Sequence, residues 1–195
     1  MRSAALPDFP LGDGPVSALL RDAGVDRFSQ ACVFVASLPY GRPPPPRDPQ
    51  AILSSRRGTC SDKHLLLARL AREAARDDLR LAVLIYLMNE RNTPGVGMVL
   101  AAHGLDEIPE AHCVLAFRGV HHDFTGLPAG AQSPLESVLL ERSVEPDRLH
   151  ATKARIHGDA LQRWCSSRGV DENRAWQARE ACISALSARG PAAAQ

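Results

Sequence analysis

The chain of 195 residues is short of several things, and each shortage removes a class of protein. It lacks a charge imbalance: the formal net charge is +1, which gives no reason to expect nucleic acid or an anionic membrane surface as a partner. It lacks paired cysteines. Cys32, Cys60, Cys113, Cys165 and Cys182 are odd in number, widely spaced and free of any Cys-X-X-Cys motif. That argues against a disulfide framework or a zinc ribbon and for free thiols in a reducing compartment. No segment approaches the roughly 20 apolar residues that span a bilayer. The opening "MRSAALPDFPLGDGP" sets prolines and aspartates where a signal peptide needs an unbroken apolar run, so a cytoplasmic location is expected. Lysine is nearly missing too. Lys63 and Lys153 stand alone among many arginines, an imbalance that reads as coding bias rather than function.

What is present is an ordinary globular composition, 45% hydrophobic and 23% charged, in a length that suits one domain with a sizeable core. Residues 1–15 are punctuated by proline and glycine and read as irregular. Two helical clusters follow up to Ala36, and residues 39–49 form a proline-rich connector, since proline has no N–H to give and holds the chain extended. A short helix is expected over Asp48 to Ser54 and a long one from Cys60 to Ala75, where Leu66, Leu67, Leu70 and Ala74 recur at helical spacing. The run "LRLAVLIYLMN" suits a buried central strand. After a glycine-marked loop with a short helical or extended piece near Met98 to Ala102, "AHCVLAFRGVHHDFTG" reads as a β-hairpin turning at Arg118 and Gly119. Helical patterns over Ala154 to Ser166 and Glu172 to Ala188 precede a tail, 189–195. The order implies an α+β fold with an antiparallel sheet packed on the helix that begins at Cys60.

Two features carry chemistry. In Gly58-Thr59-Cys60-Ser61-Asp62, Thr59 or Ser61 can cap a helix start, and the positive end of the helix dipole beside Cys60 favours its thiolate. A nucleophilic thiol needs a base, and the base needs an orienting partner. In a hairpin with a two-residue turn, residues of opposite parity share a face, so His112 and Asp123 point the same way, on the order of 5 to 8 Å apart at Cβ. His121 shares that face, and His122 and Cys113 take the other.

A cysteine that opens a helix after Gly-Thr, then a strand histidine, then an aspartate on the next strand resembles the transglutaminase-like superfamily of papain-type Cys-His-Asp enzymes. The matching stretches are "GTCSDKHLLLARLARE" and "PEAHCVLAFRGVHHDFTG". The resemblance implies Cys60 as nucleophile, His112 as general base and Asp123 as the residue that orients it. It implies acyl transfer without a cofactor on an amide- or peptide-containing substrate, with hydrolysis favoured over crosslinking. The aromatic residues that many members carry after the cysteine and two after the histidine are replaced by Ser61 and Val114. The Cys60 N–H supplies one oxyanion donor; Gln30, Tyr40 or another upstream residue is expected to supply the second, with His121 as a further candidate at the substrate. Two other readings compete. One is a non-catalytic binding or scaffolding protein of the same fold, using Trp164 and Trp176 as its surface. The other is a zinc protein ligated by Cys60, His64, His112 and His121, because residues one helical turn apart share a face.

Overall fold

The computed structural model of the protein describes residues 5–188; the expected tail at 189–195 lies outside the described residues. Among these, seven α-helices accompany one four-stranded antiparallel sheet. The helices α1 (Pro15–Asp22), α2 (Phe28–Ser37), α3 (Pro49–Ser55) and α4 (Cys60–Glu73) precede strand β1 (Leu79–Met88). A short α5 (Gly97–Ala102) leads to the hairpin β2 (Ile108–Phe117) and β3 (Val120–His122), then β4 (Leu140–Ser143), α6 (Leu149–Arg168) and α7 (Glu172–Ala188). The sheet order is β3-β2-β1-β4, so the apolar run of β1 is indeed central. Strand β4 has no counterpart in the sequence reading. Its burial is slight and its residues mostly exposed, so no alternating pattern marks it.

Strand parity sorts the core into two layers. Leu81, Val83 and Ile85 of β1, with Ala111, Cys113 and Leu115 of β2, face Leu66, Leu67 and Leu70 of α4. On the other face, Tyr86, Met88 and Ile108 pack against Cys182, Ile183 and Leu186 of α7 and Leu161 and Cys165 of α6. The hairpin turns where expected. Arg118 and Gly119 both take positive φ, 49° and 77°, as a two-residue turn between twisted strands requires.

One dimension of the hairpin sets up everything below. Strand β3 pairs with only the last part of β2, ending with His122 opposite Leu115. The stretch of β2 carrying His112 and Cys113 therefore has β1 on one side and no strand on the other. The start of α4 and the body of α6 cover that open edge, and His157 of α6 donates from Nε2 to the Pro109 carbonyl at 2.9 Å. Covering an edge in this way satisfies backbone groups that would otherwise be orphaned.

The chain leaving β3 is clamped by Lys63, whose side chain is fully buried. Its Nζ donates to the carbonyls of Leu38 (2.5 Å) and Thr125 (2.7 Å). Burial pulls this ammonium down to about 8, with Asp123 and Cys60 opposing the shift. Next to Thr125, Gly126 takes φ 72°, and a β-carbon there would sit 2.2 Å from the Ala36 carbonyl oxygen. Both the conformation and the space exclude a side chain. Gly126→Ala is therefore expected to cost about 2 to 4 kcal/mol, read as a lower urea midpoint at unchanged slope. A wild-type midpoint would mean that this clamp contributes nothing.

Candidate active site

The helix start is built as the sequence predicts, with one refinement. Thr59 is the cap and its side chain accepts from the Asp62 N–H, while Asp62 Oδ2 accepts from the Thr59 N–H (2.8 Å) and hydroxyl (2.6 Å). Arg47, reaching back from the proline-rich connector, donates from Nη2 to both Asp62 oxygens at 2.9 Å. Ser61 does not cap. It accepts from Lys153 Nζ at 2.8 Å and lies 3.5 Å from Cys113 Sγ.

Cys60 is buried at this helix start and meets β2 at its open edge, where it contacts residues of both sheet faces. Cys113 comes from the α4 face and His112 from the other, and both act on the Cys60 sulfur to favour its charged form. Lys153 of α6 supplies a third donor, Nζ to Sγ at 3.3 Å. The Cys113 hydrogen bond and the Lys153 and His112 charges hold the Cys60 thiol well below its ordinary range against the opposing effect of burial. Burial, reinforced by the Cys60 hydrogen bond, drives Cys113 the other way, so it remains a protonated donor.

His112 Nε2 lies 2.7 Å from Asp123 Oδ2. With Nε2 committed to the carboxylate, Nδ1 is the nitrogen left for Cys60. Burial pulls the imidazole down, but the Asp123 and Cys60 charges and their hydrogen bonds outweigh it and raise it to about 10. Asp123 is itself oriented: its Oδ1 accepts from the Thr125 N–H (2.8 Å) and hydroxyl (2.5 Å). Burial raises Asp123, and the His112 charge more than reverses it, leaving the carboxyl far below its usual value. The shifts of the three groups favour a thiolate at Cys60, an imidazolium at His112 and a carboxylate at Asp123.

Several expected residues lie elsewhere or act otherwise. Gln30 is exposed on α2, where its Oε1 accepts from the N–H groups of Asp26 (2.9 Å) and Arg27 (3.1 Å); it caps a helix and is not an oxyanion donor. His121 does share the parity of Ala116, but its Nε2 is paired with Glu141 at 3.2 Å and it lines neither cavity beside Cys60. His64 is unavailable as a ligand. Its Nε2 accepts from the Phe124 N–H (2.8 Å), so Nδ1 carries the proton and donates to the Cys60 carbonyl (2.8 Å). Burial, the leading cause, lowers this imidazole and keeps it neutral. Among the described residues no group of three His, Cys, Asp or Glu side chains is placed to hold a metal ion. Tyr40, by contrast, borders both cavities together with Cys60. Burial, followed by the Cys60 charge, keeps its phenol protonated and able to donate.

Lys153 and Cys113 were missed by sequence reasoning, and the lysine count was the available signal. Both lysines converge here, Lys153 on the thiolate and Lys63 on the Asp123 segment. A compact ammonium with three donors fits these narrow sites where a guanidinium would not.

Cys60 lies between two hollows. One, of about 520 Å³, lies on the His112 side and is walled by Tyr86, Met88, Leu127, Ile183 and Leu186. The other, of about 160 Å³, lies on the Lys153 side, with Arg42, Arg47, Trp176 and Arg179 at its walls. Comparison with known proteins gives no match: no family model fits the chain, no curated protein matches its sequence and no solved structure matches it.

The thiolate state predicts a pH response. A thiol with an ordinary pKa loses about tenfold in alkylation rate per pH unit below that value. The fall in the rate of Cys60 alkylation by iodoacetamide is expected to set in at a clearly lower pH than for an ordinary thiol, because its folded-state pKa is lowered. His112→Ala, which removes one cation, should move the onset upward. An onset in the wild type at the ordinary thiol pKa would show that the surrounding groups do not favour the thiolate.

Proposed function

We propose that the chain is a cysteine-dependent acyl-transfer enzyme of transglutaminase-like fold that hydrolyses an amide or peptide-like bond. The observation that carries this reading is the His112 ring, with Asp123 on Nε2 and the Cys60 thiolate on the side of Nδ1. A structural cysteine has no need of a depressed pKa, and a structural histidine has no need of an aspartate held by two further donors.

The chemistry follows from those positions. The Cys60 thiolate attacks the carbonyl carbon, a C–S bond forms, and the carbonyl oxygen becomes an oxyanion. At the first helical position the Cys60 N–H has no partner within the helix and faces this oxygen, with the Tyr40 hydroxyl as the second donor. As the C–N bond breaks, the Nδ1 proton of His112 passes to the leaving amine. Water then gives a proton back to His112 as it attacks the thioester, the C–S bond breaks with its electron pair returning to sulfur, the acid leaves and the thiolate–imidazolium pair is restored.

Of the described helices, none is long and apolar enough to cross a membrane. All five cysteines are free and buried, which favours a reducing, cytoplasmic setting. The zinc reading loses its ligands to the contacts of His64 and His121.

Cys60→Ser is expected to fold normally and lose all turnover of an activated thioester, with no acyl adduct in the intact mass. Asp123→Asn should lower kcat/KM by on the order of 10²- to 10⁴-fold, since it removes the charge that holds the imidazolium. The basic limb of the wild-type pH profile should fall at about 10 as His112 loses its proton. Undiminished turnover by Cys60→Ser would leave the arrangement a structural one.

A further inference from the structure

The two hollows flanking Cys60 are unlike in size and chemistry, and the direction of proton transfer says which half of a substrate enters which. This inference rests on the acyl-transfer reading above. The leaving amine takes its proton from His112 Nδ1, so the amine portion must lie on the His112 side, in the hollow of about 520 Å³ with its apolar walls. The acyl portion then extends to the Lys153 side, where about 160 Å³ admits a short acyl group and little more.

The local charge balance at Lys153 indicates what that acyl group carries. In the free enzyme the Lys153 ammonium is balanced by the Cys60 thiolate, 3.3 Å away. Acylation turns that sulfur into a neutral thioester. The oxyanion that replaces the negative charge in the tetrahedral intermediate disappears again when the intermediate collapses. Lys153 is then left facing the neutral Ser61 hydroxyl, while Glu110, the nearest wall carboxylate, is already taken by Arg179 through two hydrogen bonds of 2.7 and 2.8 Å. The other cations at the wall, Arg42 and Arg47, are paired with Glu180 and Asp62, so no wall carboxylate is free to replace the lost thiolate. The negative charge left when His112 gives up its proton stays on Asp123, which is held by Thr125 and borders the other hollow, so Lys153 keeps no contact anion, and a part-buried ammonium without one is costly. The field here is positive already: after burial, the charges of Arg47, Lys153 and Arg69 depress the neighbouring His150 imidazole, with Asp62 opposing.

We propose that the small hollow is an acyl-group subsite that takes a short acyl chain ending in a carboxylate, so that the substrate is a monoamide of a dicarboxylic acid with an apolar amine portion. The terminal carboxylate replaces the thiolate as the partner of Lys153 for the lifetime of the acyl-enzyme. Lys153 is thus a specificity-determining residue as well as a stabiliser of the nucleophile.

The test uses the purified full chain with two para-nitroanilides of equal chain length, N-succinyl and N-butyryl, following nitroaniline release and the Cys60 adduct by intact mass. The expected kcat/KM is on the order of 10²-fold higher for the succinyl compound. Lys153→Gln should collapse that ratio toward unity whatever it does to the absolute rates, and Arg42→Gln should reduce it in part. Equal acylation of Cys60 by both compounds overturns the subsite and leaves the acyl-transfer reading standing. Acylation by neither, with Cys60 still open to alkylation, overturns both.

Discussion

Everything around the start of α4 bears on one electrostatic constraint: a sulfur whose thiol is held well below its ordinary range has been removed from water, and a buried charge costs several kcal/mol unless donors and cations enclose it. The helix end contributes partial positive charge and free N–H groups, but a dipole alone is worth too little. His112 and Cys113 of β2 and Lys153 of α6 therefore approach from two elements, and each is itself held by a further partner. Removing any one would leave the others facing a less balanced charge, which is why a chain with so many arginines retains lysine here.

That requirement also explains why the sheet is incomplete. A nucleophile packed on one face of a sheet meets side chains of one parity only. At an open edge it meets both, and β2 is open at His112 and Cys113 because β3 stops after three residues. The chain after β3 is then free to turn inward, so that Asp123 reaches His112 and Phe124 reaches His64. Lys63 and Gly126 hold that turn against the end of α2. The catalytic reading and the local architecture share the same few contacts.

Much of this was legible in the sequence because it is local. Capping residues, hairpin parity and the helical spacing after Cys60 place Cys60, His112 and Asp123 on elements that bring them together, and the α+β architecture follows from the order of the elements. What escaped depends on long-range approach. Lys153 lies 93 residues from Cys60 on a helix whose pattern says nothing about the face it presents. Cys113 belongs to the face opposite His112, and parity alone excludes it from the site; only the open edge admits it. Gln30 carries the right chemistry for an oxyanion donor but spends it on the N–H groups at its own helix start. His121 has the expected parity yet pairs with Glu141 on the strand at the far side of the sheet.

The hairpin turn at Arg118 and Gly119 has a consequence beyond its own geometry. His112 and Cys113 are consecutive residues on β2, so the turn acts as the register key of the whole cluster. An inserted or deleted residue there would not merely loosen the hairpin; if β2 were dragged by one position, a sulfur would stand where the imidazole belongs. The side chains set against Cys60 are thus specified partly by a count of residues in a loop that touches none of them.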